Sequence, residues 1–138
     1  MPPPPSLEAI LGAIETRLDT IQGLSVGDMV PAAINPPQAV VGVPEIGDYH
    51  TGVAALRTVL RPTITVLVSS AMTALGQHQL ARYADLAGPQ SIPALILADR
   101  TLGGVVSDCL VRSFRPLGLQ DVGIVGYFGG VFTLSLNP

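Results

Sequence analysis

Apolar residues at helical spacing open the chain. Leu7, Ile10, Leu11, Ile14, Leu18 and Ile21 fall on one side of a 3.6-residue repeat, while Glu15, Arg17, Asp19 and Gln22 fall on the other. The spacing predicts an amphipathic helix capped by Ser6, with Glu8 in its positive first turn and Gly23 as its stop. Two short apolar segments follow, around Val26 to Val30 and Ala39 to Val43. Pro31 and Pro36-Pro37 lie between them, which predicts two strands near a sheet edge with a rigid turn between. Residues 44 to 52 gather turn formers and charges into a loop.

From Leu56 to Ser70 the period changes to two. The even positions Leu56, Leu60, Ile64, Val66 and Val68 are apolar and the odd ones include Arg57, Arg61, Thr63 and Thr65, the pattern of a half-buried strand. Pro62 cannot donate a ladder hydrogen bond, which predicts an edge position or a bulge there. Ser70 then caps a helix carrying Met72, Leu75, Leu80, Tyr83 and Leu86 on one side, with Gln77, His78, Arg82 and Asp85 outward and Gly88-Pro89 at its end. Ser91 caps a shorter helix, with Pro93 in its first turn and Gly103-Gly104 closing it. Two strands finish the pattern: Val105 to Phe114, broken by Pro116 and Gly118, and a long one from Val122 to Leu136. The second is predicted to bend at Gly129-Gly130 or to reach a neighbouring subunit. The whole reads as one α+β domain, 1–138, a mostly antiparallel sheet with its helices mainly on one face, preceded by a stiff proline arm at residues 1–5.

Composition narrows the functions. Only 12% of residues are charged and mean hydropathy is +0.50. No run approaches the ~18 apolar residues of a membrane helix, so the excess hydrophobicity points to a subunit interface. The net charge of −3, with seven scattered arginines and no lysine, argues against sequence-specific nucleic-acid binding. The single cysteine, Cys109, excludes an internal disulfide, and the proline-rich start lacks the pattern of a secretion signal.

Candidate chemistry is sparse. Cys109 with His50 or His78 has the residue types of a nucleophile and its base, but Cys109 alternates with Ser107 and Val111 on a small-residue strand face, where packed cysteines sit. His78 belongs to the polar side of its helix. A metal at His50 beside Glu45 and Asp48 would need ligands from elsewhere. Gly103-Gly104 follows a helix instead of preceding one, and Gly129-Gly130 lies within a strand, so neither makes a phosphate cradle. Arg100 beside a helix C-terminus is read as complementing the dipole. The expectation is a protein that is not an enzyme and uses no cofactor and no metal. The loop from Pro44 to Gly52 is either a solvated connection or, through the apolar tips Ile46 and Tyr49 with His50 beside them, a docking element.

One stretch carries a resemblance: Gly88-Pro89-Gln90-Ser91-Ile92-Pro93-Ala94-Leu95, continuing through Ala98-Asp99-Arg100-Thr101-Leu102-Gly103-Gly104-Val105-Val106. Together with Asn35-Pro36-Pro37-Gln38-Ala39-Val40-Val41, Val66-Leu67-Val68-Ser69-Ser70 and Phe132-Thr133-Leu134, it resembles the tail terminator proteins of long-tailed, siphovirus-type bacteriophages over most of the chain. The resemblance implies a structural virion protein at the tail–neck junction. In that family a homo-hexameric ring stops polymerisation of the tail tube protein, meets the head–tail stopper or connector protein, and leaves a channel for DNA without sequence-specific binding and without a membrane. Acids facing such a channel would repel DNA; Asp28, Glu45 and Asp48 are the candidates. Another neck or tail ring, a stopper or tube component, is the near alternative. A small cytosolic ligand-binding domain or enzyme built on His50, Asp48 and Cys109 is the alternative from another class.

Overall fold

The computed structural model describes residues 6–27, 37–44, 60–69, 74–122 and 125–137. The elements run α1 (Leu7–Leu18), β1 (Ser25–Val26), β2 (Gln38–Gly42), β3 (Thr63–Ser69), α2 (Ala74–Ala84), α3 (Ile92–Ala98), β4 (Asp108–Val122) and β5 (Val125–Asn137). The five strands form one sheet in the order β1-β2-β3-β5-β4. β1 pairs with β2 in parallel and the other pairs are antiparallel. The expected α+β class, mostly antiparallel, is borne out.

Alternation decides which face is buried. Ile64, Val66 and Val68 of β3, Phe128, Phe132, Leu134 and Leu136 of β5, Ala39 of β2 and Cys109 of β4 are all buried. They form one cluster with Ile10, Ile14 and Leu18 of α1, Leu80 and Tyr83 of α2, and Ile92 and Ile96 of α3. All three helices therefore cover the same face. Side chains of this kind contribute roughly 1.5–3 kcal/mol each when taken from water, so the β3–β5 layer beneath the helices dominates the stability.

Several elements differ from the sequence pattern. α1 ends at Leu18 and not at Gly23; Asp19 is its C-cap, and Ile21 joins the core from the turn that follows, where Gly23 has φ +85°. β1 is an edge strand with β2 beside it, near the sheet edge as expected, but the two pair in parallel. β3 is central, so Pro62 is not on an edge strand. Leu60 exchanges two backbone bonds with Leu136, and two residues on, the Leu134 N–H donates to the Pro62 carbonyl. The proline cannot return that bond, and the ladder loses one rung without changing register. Leu86 is 87% exposed, outside the core-facing side of α2. α3 stops at Ala98, well before the glycine pair. β4 runs through Pro116 and Gly118, which is possible because it is the edge strand with one neighbour; its register shifts fall at Arg112 and Gly118. Residues 1–5, 28–30, 56–59 and 70–73, where the arm, a strand end, a strand start and a helix start were expected, lie outside the described residues.

β5 passes uninterrupted through Gly129-Gly130, paired to both neighbours. A Cβ on Gly129 would run into the Val66 carbonyl of β3, and one on Gly130 into the ring of Phe114 on β4. That ring stacks at a tilt on Phe132, centroids 4.7 Å apart, so an aromatic side chain fills the space the glycine leaves. Gly129→Ala is expected to lower unfolding free energy by about 3 kcal/mol or more, since the obstacle is backbone that cannot rotate away. Urea denaturation followed by circular dichroism checks it; a loss below about 0.5 kcal/mol would mean the strands do not approach this closely.

Candidate assembly surface

The second face of the sheet carries Val40 of β2, Thr63 and Thr65 of β3, Val131, Thr133 and Ser135 of β5, and Leu110, Ser113 and Arg115 of β4, as their pairing to one another requires. Gln38 and Leu67 on this face are fully buried, with the Gln38 side chain against Gly27. The remainder is half-buried or exposed. None of α1, α2 and α3 contributes to it. Beyond the last β3 partner, Ser69↔Phe128, strands β4 and β5 stay paired with each other as far as Val122↔Val125. Among the described residues this face thus carries β-branched and small polar side chains, and β4 and β5 extend as a pair past the central strand.

The two lateral edges differ in charge. At the β1/β2 side, the outer surface of α1 carries Glu8, Glu15 and Asp19, all exposed at helical spacing, with Gly12 between them. Two adjoining hollows open there, one of about 440 Å³ lined by Gly12, Glu15, Thr16, Asp19 and Val26, the other of about 570 Å³ lined by Leu7, Glu8, Leu11, Gly12, Glu15 and Val43. Val43 is 75% exposed. A Cβ at Gly12 would meet nothing within 4 Å, although glycine in a helix interior costs roughly 0.5–1 kcal/mol relative to alanine. Packing within the chain does not require this glycine. At the opposite edge, β4 presents Leu110, 37% exposed, with the exposed Arg112 and Arg115.

Between them lies the segment that carries the resemblance. Gly88 has φ +118°, and the Ser91 hydroxyl accepts from the Ala94 N–H at 3.1 Å to start α3. Asp99, the C-cap, accepts from the Gly103 N–H at 2.9 Å and the Thr101 hydroxyl at 3.2 Å. This turn places the buried Leu102 at φ +52°, followed by Gly103 and Gly104 at +73° and +92°. The left-handed leucine costs about 1–2 kcal/mol, offset by its burial. Arg100 does not serve the helix dipole as expected. Its guanidinium forks onto Asp108 at the start of β4, both bonds 2.7 Å, and holds that carboxyl below its usual range, chiefly by hydrogen bonding and against the opposing effect of desolvation. A carboxyl depressed in the folded state adds stability above its unfolded pKa of about 4 and loses it as pH falls through the folded value. Arg17 ties α1 to the same segment by donating to the Leu95 carbonyl at 3.0 Å. The capping serines and glycines are visible in the sequence; the Arg100–Asp108 fork is not, because nothing at a separation of eight residues marks a pair until the turn is known.

Ile46, Tyr49 and His50, and the acids Asp28, Glu45 and Asp48, lie outside the described residues. His78 is exposed on α2 as expected. Among the described residues no three His, Cys, Asp or Glu side chains gather where they could hold a metal ion, and no helix is long and apolar enough to cross a membrane. The chain matches no protein-family profile and no curated protein. Cys109 is fully buried on the core face, and burial, with the charge of Asp108, pushes its thiol up to about 12. The thiolate needed for nucleophilic attack is therefore scarce at neutral pH. Alkylation by iodoacetamide at pH 8 is expected to run more than about a hundred-fold slower in the native protein than in urea. Comparable rates, read by mass spectrometry, would show an accessible, activated thiol instead.

Proposed function

We propose that this chain is a structural virion subunit of the tail-terminator type, assembling as a six-membered ring that ends the tail tube and joins it to the neck. The observation that carries this reading is the one-sided core: all three helices pack on one face of the sheet, and among the described residues no helix lies on the other face and no strand lies beyond β1 or β4. An apolar, lightly charged chain with such surfaces suits an assembly part better than a free monomer. The residue pattern from Gly88 to Val106, which resembles that family, supports it further, since it supplies the capped helix and the left-handed turn that lead into β4. In the ring, recognition is by complementary surfaces without a covalent step. A head-to-tail contact repeated around an axis closes and leaves neither patch exposed. The channel would pass DNA without sequence readout, in keeping with a net charge of −3 per subunit.

Negative-stain microscopy of the purified protein with its candidate tail tube protein tests this. Closed rings sitting at one end of the tubes are expected. Tubes that grow without a cap while both proteins are folded would overturn the terminator role, and polymerisation of this chain into tubes by itself would make it a tube component.

A further inference from the structure

We infer that the ring contact, which rests on the ring-subunit reading above, is made by the β4 edge of one copy docking into the α1 groove of a second copy. The groove is lined by the half-buried Leu7 and Leu11 and the exposed Val43, with a rim of Glu8, Glu15 and Asp19. The edge strand β4 has the complement, exposed Leu110 and Arg115 on its helix-free side with exposed Arg112 at the register shift between them. The two surfaces belong to opposite lateral ends of one sheet, β1/β2 and β4, so their pairing is head-to-tail and propagates around a ring instead of stopping at a dimer.

Two further features fit this contact. Gly12 leaves a notch in the middle of the acidic stripe that no atom of the chain fills, and a neighbouring arginine or leucine side chain has room to enter there. The register shift at Arg112 and the missing N–H of Pro116 both interrupt β4. An edge so interrupted is poorly suited to adding a strand from a neighbour, and a partner must recognise it through side chains. Opposite charges at the rim steer association and forbid like-to-like docking.

The test is a charge swap. One variant carries Arg112→Glu with Arg115→Glu, the other Glu15→Arg with Asp19→Arg; Glu8 is left in place because it complements the helix N-terminus. Sedimentation velocity in low salt is run on the wild type, on each variant and on their equimolar mixture. The wild type is expected to self-associate, less so as salt rises. Each variant alone faces its own charge in every contact and should associate at least tenfold more weakly. The mixture, in which the two variants alternate around an even-membered ring, should return to near wild-type association, which a misfolded variant would not do. Either variant assembling like the wild type, a mixture that stays dissociated, or a wild type monomeric at millimolar concentration overturns the contact. Oligomers indifferent to the swap would leave the virion reading standing, because tube capping reports on that separately.

Discussion

The register of β3 on β5 is the constraint from which the rest of the structure follows. Ile64 lies opposite Phe132 and Val66 opposite Gly130, and the same register carries on through Pro62 to the Leu60–Leu136 bridge. A slip of one residue would turn Phe132, Leu134 and Leu136 away from the helices and put Val131, Thr133 and Ser135 in their place. Gly129 reinforces the register sterically, because any side chain there meets the Val66 carbonyl. Pro62 removes one hydrogen bond, a small loss beside the apolar layer, and the alignment holds across it.

That alignment commits the chain to a one-sided core. Among the described residues three short helices and one apolar layer cover one face of the sheet, and threonine, valine and serine lie half-buried on much of the other. The same arrangement separates its charges. Glu8, Glu15 and Asp19 belong to the helix over the β1/β2 end, and Arg112 and Arg115 to the strand at the far edge. A subunit with unlike ends is what head-to-tail assembly requires, whereas a two-fold dimer would need a patch complementary to itself. Fold and proposed function meet in this asymmetry. The buried thiol of Cys109 belongs to the same apolar layer, packed in the core cluster.

Much of this was legible in the sequence wherever one physical signal acted alone. The helical repeat from Leu7 to Leu18, the alternation through Ile64, Val66 and Val68, and the serine caps at Ser6 and Ser91 are local patterns, and the structure keeps them. Failures came where tertiary context outweighed local rules. Pro62 reads as an edge residue but directly precedes the central strand β3, where its carbonyl still accepts from Leu134 and one lost bond is tolerable. Pro116 and Gly118 read as breaks, yet β4 continues through them because an edge strand has only one ladder to satisfy. The parallel pairing of β1 with β2 and the Arg100–Asp108 fork depend on long-range placement that no periodicity encodes. Of the candidate assembly surface, the acidic side of α1 is readable from spacing alone, whereas its opposition to the arginines of β4 needs the strand order.

Native mass spectrometry of the purified chain over a range of concentrations tests the central claim of a closed head-to-tail ring most directly. A ring-forming subunit gives monomer and a six-copy species, with intermediates suppressed because only closure satisfies both patches. A dimer that dominates at every concentration, an open-ended ladder of oligomers, or monomer alone would contradict it.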